Sequence, residues 1–202
     1  AVAGNGHTGL LLSAGKDSVT GHWELTGLVT ETPFPVFPDG FPEEVVNLVE
    51  EVSGNPILGN EVASGTEIMS RLGEEHVNTG KLILYTSADS VLQLLAHEEI
   101  IPLERLYRVC HEIHERLAPE HKVSRVIARP FTGSAGEFVR TPNRKDFALV
   151  PHGKTILDQL CQDEIQVTGI GKVDTLFAGH GFSRALHTKN NADGMETIIK
   201  VL

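Results

Sequence analysis

Pro33, Pro35, Pro38 and Pro42 fall within ten residues, and no other stretch constrains the chain as much. Proline locks φ and donates no backbone N–H, so neither a helix nor a central strand runs through such spacing. Residues 33–42 are therefore read as an extended linker and as a domain boundary. Phe34, Phe37 and Phe41 lie among the prolines and are expected to anchor the linker to a core surface.

The pattern on either side alternates between helix and strand. Before the linker, Asp17 is an N-cap residue and Val19 to Leu25 can form a helix. Leu10 to Leu12 suggests a short strand. After the linker, Val45, Val46, Leu48, Val49 and Val52 give a helix over 43–53 a broad apolar face. Ser64 and Glu67 have capping-box spacing and open a helix that ends before Gly80. Lys81 to Tyr85 reads as a buried strand. Ser87 to Ser90 then turns the chain into a helix predicted over 90–97. Pro102 at the first helical position starts another helix, whose face is Leu103, Leu106, Tyr107, Cys110, Ile113 and Leu117. Strands are predicted at 123–128, 137–140 and 166–170, with Lys172 at the exit of the last. Helices are predicted at 154–161 and 191–202. The alternation specifies an α/β or α+β protein.

The 202 residues carry a formal charge of −10, and 40% are hydrophobic, enough for a real core. No basic stripe is present, so nucleic acid and anionic membrane surfaces are poor partners. A protein of this charge that takes an anionic ligand must gather its few Arg and Lys locally. Cys110 and Cys161 have no CxxC spacing and read as reduced core thiols, which fits the cytoplasm. No signal-peptide pattern and no apolar run of roughly 18 residues occurs. His111 and His114 are three apart and read as polar-face histidines rather than a metal pair. The chain opens on Ala1 without Met, and its last helix runs uncapped to Leu202. Both ends are thus expected to be cut, and the chain to be a fragment.

Chemistry is concentrated at residues 15–24, GKDSVTGHWE. A hydroxyl at the start of a helix sits among unpaired backbone N–H groups and the positive end of the helix dipole, both of which favour phosphate. Ser18 can accept a phosphoryl group there if something ionises it. The alternative is an ordinary capped helix start with a solvated Ser and Lys.

GKDSVTGHWELTG (15–27) resembles the nucleophile motif of the phosphopentomutases, alkaline-phosphatase-like metalloenzymes whose usual form is GKDTxTGHWE. The likeness continues through PFPVFPDGFP (33–42), ASGTEI (63–68), YTSADSVLQ (85–93), RVIARPF (125–131), FVRTPNR (138–144), GIGKV (169–173) and TKNNADGM (188–195). It covers nearly the whole chain in the family's order. The resemblance implies an α+β cap domain, 34–148, inserted between core-domain segments 1–33 and 149–202 of an α/β alkaline-phosphatase-like fold.

The resemblance also implies an activity: moving phosphate between C1 and C5 of ribose or deoxyribose through a phosphoenzyme. Ser18 stands where the family's nucleophilic Thr does, and related mutases use Ser. Two divalent metal ions, typically manganese, would clamp the transferring group in the full-length enzyme, with a sugar bisphosphate as possible activator. The family's Asp and His metal-ligand motifs do not occur in these 202 residues, so no metal ligand is assigned. His22 lies one helical turn from Ser18 and either contacts phosphate or substrate, or simply packs beside Trp23. Arg125, Arg140 and Lys172 match positions that line the sugar-phosphate site, and guanidinium forks suit phosphate oxygens. Arg129 and Arg144 rank behind them. Ser87, Asp89 and Val91 lie on a turn the family holds over the ribose, and Ile127 would be an apolar wall. Asp89 would bond a sugar hydroxyl, cap helix 90–97, or both. The expected partners are small pentose phosphates. Competing readings are a non-catalytic sugar-phosphate-binding cap fragment, or another phosphomutase or phosphatase of the superfamily.

Overall fold

The computed structural model describes residues 11–15 and 17–202. Leu10, part of the expected N-terminal strand, and Lys16 lie outside the described residues, and Leu11 and Leu12 form no strand. The elements in chain order are α1 (Ser18–Leu25), α2 (Glu43–Ser53), β1 (Ile57–Val62), α3 (Gly65–Thr79), β2 (Leu82–Thr86), β3 (Val91–His97), α4 (Leu103–Arg116), β4 (Arg125–Thr132), β5 (Val139–Arg140), β6 (Lys145–Ala148), α5 (Ile156–Gln162), β7 (Thr168–Ile170), β8 (Arg184–Leu186) and α6 (Asn191–Val201). Two short 3-10 turns, Pro119–His121 and Val173–Phe177, complete them. The protein is thus a mixed α/β structure.

Six strands form one mixed sheet. β1 and β2 are parallel neighbours joined through α3, and β3 and β4 are parallel neighbours joined through α4. β2 and β3 are antiparallel, and the far edge of β4 is shared by β6 at one end and β5 at the other. A separate pair, β7 and β8, is parallel.

The period of two along a strand sorts side chains onto the two faces of this sheet. Leu82, Leu84, Leu92, Leu94, Val126 and Ala128 point to one face, where Val45 and Val49 of α2 and Leu106, Cys110 and Ile113 of α4 close a core. Ile83, Tyr85, Leu95 and Phe131 point to the other, beneath Ile68 and Met69 of α3. Each aliphatic side chain buried this way contributes about 1.5–3 kcal/mol. A third cluster lies apart from the sheet: Val19 and Trp23 of α1 pack with Phe177, bordered by Leu28, Phe34, Leu149, Leu157 and Phe182. The Trp23 indole N–H donates to the carbonyl of Leu176 at 3.0 Å. The proline segment is extended, as expected, and its phenylalanines bridge two cores. Phe34 meets Trp23 edge-on, while Phe37 and Phe41 join the core under α2.

Several expectations are corrected. Residues 91–97 are a strand, not a helix, because all seven are buried between layers. A short, mostly apolar run, broken only by Gln93 before it ends at His97, carries no periodicity that separates the two. Pro102 precedes α4 as its N-cap rather than opening its first turn. Ser64 caps α3 by accepting the Glu67 N–H, but the Glu67 carboxylate turns away to Arg71, so only half of the capping box forms. His114 is buried rather than on a polar face, and Cys161 is only half-buried. β1, β6 and β8 were not foreseen.

Candidate sugar phosphate site

The site follows from α3 being narrower than the sheet face it covers. It shields Ile83, Tyr85 and Leu95 and leaves the ends of β3 and β4 open. In register on that open face stand Val91 opposite Arg125 and Gln93 opposite Ile127, with Arg129 next along β4 beyond Ile127. They floor a cavity of about 380 Å³, walled by Ser64 and Gly65 at the start of α3, by Ser87 and Asp89 on the β2–β3 turn, and by Arg144.

Two of the arginines are held by one carboxylate. Asp146 sits on β6 opposite Ile127, hence on the same face. It accepts Arg144 Nε and Nη2 at 2.6 Å each and Arg125 Nη1 at 3.3 Å. Burial works against the Arg144 cation, yet its hydrogen bonds to Asp146 hold it above the ordinary arginine range. Arg129 donates from Nε to the Gln93 amide oxygen and has no carboxylate within bonding distance among the described residues. Burial, with Arg144 and Arg140 nearby, pulls its cation below the ordinary range. Arg125 Nε is buried and has no hydrogen-bond partner among the described residues. Three cations thus line a polar cavity in which Asp146 pairs with two of them and Asp89 is the one carboxylate of the lining, an excess of positive charge that suits an anion.

The turn at 87–90 is a wall common to two cavities. Asp89 lines the arginine cavity and also an adjoining one of about 420 Å³ with Asp17, Thr20, Pro33 and Phe34. Ser90 Oγ donates to the carbonyl of Pro35 at 2.6 Å, which fixes the turn against the proline segment. The start of α1 therefore lies next to the turn. Asp17 caps that helix, with Oδ1 accepting the N–H groups of Val19 at 2.6 Å and Thr20 at 3.1 Å. The cap uses two of the N–H donors expected to favour phosphate. Ser18 itself is exposed at the first position of α1.

Of the residues named from sequence, the fold brings Ser87, Asp89, Val91, Arg125 and Ile127 to one cavity. Arg140 on β5 pairs with Phe131 of β4 and so shares the face of Arg125, but it is exposed at the rim, with Nη1 3.6 Å from where a Cβ on Gly65 would be. His22 is turned back on its own helix, its Nδ1 2.7 Å from the carbonyl of Ser18. Lys172 is exposed at the N-cap of the 3-10 turn that starts at Val173, and lines neither cavity.

Comparison with known proteins gives the chain its relatives. It is 54% identical over 190 residues to the phosphopentomutase of Caldanaerobacter subterraneus subsp. tengcongensis, covering 94% of this chain and 48% of that protein. It is 54% identical over 188 residues to that of Dictyoglomus thermophilum, at 93% and 48%. It is 50% identical over 191 residues to that of Clostridium novyi, at 95% and 49%. Its relatives are phosphopentomutases. The chain spans about half the length of the curated relatives it matches. No family model matches it.

The phosphopentomutase resemblance implies two metal ions. Among the described residues no three His, Cys, Asp or Glu side chains converge as a metal centre requires, so these residues do not supply one by themselves. The cavity also holds residues that the sequence ranks low or does not single out. Arg129 and Arg144 line it, and Gln93 floors it. All three lie inside motifs already shared with phosphopentomutases, and the period of two that aligns Arg125 and Ile127 carries Arg129 to the same face.

Proposed function

We propose that this chain is the sugar-phosphate-binding and phosphoryl-accepting part of a phosphopentomutase, which interconverts the 1-phosphate and 5-phosphate of ribose or deoxyribose. One observation supports this reading most: five residues named from motifs scattered over 87–127 share a single cavity with Arg129 and Arg144. The arginines take the ester's phosphate, Asp89 and Ser87 take sugar hydroxyls, and Val91 and Ile127 form the apolar wall. Ser18 receives the phosphoryl group, giving a phosphoenzyme that returns it to the other end of the sugar. The neighbourhood of Asp17 and Asp89 across one cavity supports pairing the two sites. Residues 34–148 act as the cap and the flanking segments as core. The separate cluster of Val19, Trp23 and Phe177 supports that division. The divalent ions, manganese by the resemblance, would supply the charge that clamps the transferring phosphoryl group.

Calorimetry of the chain with ribose 5-phosphate tests the reading. Binding is expected, and Arg125→Ala is expected to weaken it about ten- to a hundredfold, the loss of one charge-assisted contact. No binding, or binding indifferent to Arg125, would remove the cavity from the proposed reaction.

A further inference from the structure

Gln93 lies at the centre of the cavity floor, opposite Ile127 and between the positions of Arg125 and Arg129 on the next strand. Only 4% of it is exposed. Its amide oxygen accepts two hydrogen bonds, from the Tyr85 hydroxyl at 3.1 Å and from Arg129 Nε–H at 3.0 Å. A guanidinium only donates, so the oxygen of the amide and not its nitrogen must face Arg129. A flipped amide would set donor against donor. Tyr85 is in turn held where Gly65 leaves room, since a Cβ on Gly65 would come 2.6 Å from the hydroxyl. The other end of the amide, Nε2, bonds to no described residue and is not sealed from solvent. Two N–H donors are thereby fixed in the floor of the cavity and left for a ligand.

These donors are neutral and stand among three cations. The arginines serve phosphate, where charge counts most. A neutral donor pair of fixed direction suits a neutral acceptor, a hydroxyl or ring oxygen of the sugar. We infer that Gln93 is a specificity-determining residue that donates from Nε2 to a sugar oxygen of the bound phosphate ester. This rests on the cavity being a sugar-phosphate site.

The test compares two probes, ribose 5-phosphate and inorganic phosphate, by calorimetry on the 202-residue chain and on Gln93→Met. The variant keeps the volume of the side chain and removes the donors. Ribose 5-phosphate is expected to bind about five- to tenfold more weakly, as for one lost hydrogen bond, while phosphate affinity stays within about twofold. If the Met variant does not fold, Gln93→Glu is read in the same way, by the ratio of the two affinities. It keeps an acceptor for Tyr85 and Arg129 but has no NH₂. Equal weakening of both probes would mean that Gln93 only holds Arg129, and would overturn the inference. So would a wild-type chain that binds phosphate as tightly as the sugar phosphate, although the anion site would then stand. A chain that binds neither probe removes the sugar-phosphate reading and this inference with it.

Discussion

Ser18 and Asp146 illustrate two kinds of residue, one whose role is read from its motif and one visible only in the fold. Ser18 is exposed at the start of α1 and makes no packing contribution that a substitution would disturb. In an enzyme completed with the remaining half of a relative, Ser18→Ala is expected to abolish conversion of ribose 1-phosphate to ribose 5-phosphate. Ser18→Thr is expected to retain it. Turnover by the Ala variant, or a phosphate mapped by mass spectrometry to another residue, would overturn the assignment. Asp146 has no motif and was not singled out from sequence. Its side chain is 13% exposed and serves Arg144 and Arg125 at once. Removing one member of a buried ion pair leaves the other uncompensated. Asp146→Asn is expected to lower the unfolding free energy by roughly 3 kcal/mol in urea titration, and added phosphate to restore part of it by replacing the lost counter-charge. An unchanged urea midpoint would show that the arginines need no partner. Both kinds of residue meet at the cavity. Arg125 was read from its motif, but that Asp146 would hold it was decided by the pairing of β6 with β4.

Elements with a cap or a clear period were legible, and those without were not. α2 runs over 43–53 as its apolar spacing requires, and α3 stops at Gly80, which takes the left-handed conformation at φ 72°. α5 begins after Thr155, where the full capping box forms: Thr155 Oγ1 bonds the Asp158 N–H, and the Asp158 carboxylate accepts the Thr155 N–H at 2.8 Å. Thr155→Ala is expected to reduce stability by about 1 kcal/mol, measured by denaturant unfolding. A loss below a few tenths would mean that the helix is held by Leu157 packing instead. β3 was misread because its leucines and alanine favour a helix locally. Burial on both faces overrides that preference, and no residue within 91–97 announces it. β1 carries two successive residues of positive φ, Gly59 and Asn60, and the register with β2 slips there. A strand broken by such a bulge does not show strict alternation. β6 is four residues long and exists because β4 offers an edge.

At the scale of the molecule, a buried histidine network joins the layers and sets a pH dependence. His76 of α3 is fully buried, its Nε2 accepts the N–H of His97 at 2.9 Å, and its Nδ1 faces the carbonyl of Lys81. Burial pulls its pKa below the ordinary 6.5, as it does for His114 under α4. In both cases the unfolded chain takes up the proton first. The stability from keeping them neutral is therefore complete above about pH 6.5 and is lost as the pH falls from there through the lower folded values. Urea midpoints are expected to drop between pH 7.5 and 5.5, and His76→Leu to flatten that slope. A flat wild-type profile over this window would contradict the linkage. The sequence by itself determined the α/β alternation, the extended proline segment, most helix limits and five residues of the cavity, because caps, periods and motifs act over a few neighbouring positions. Tertiary structure alone decided that 91–97 is a strand, that α3 leaves part of the sheet face open, and that Asp146 and Gln93 orient the arginines there. Those outcomes depend on which strands pair and in what register, and such contacts join residues far apart along the chain.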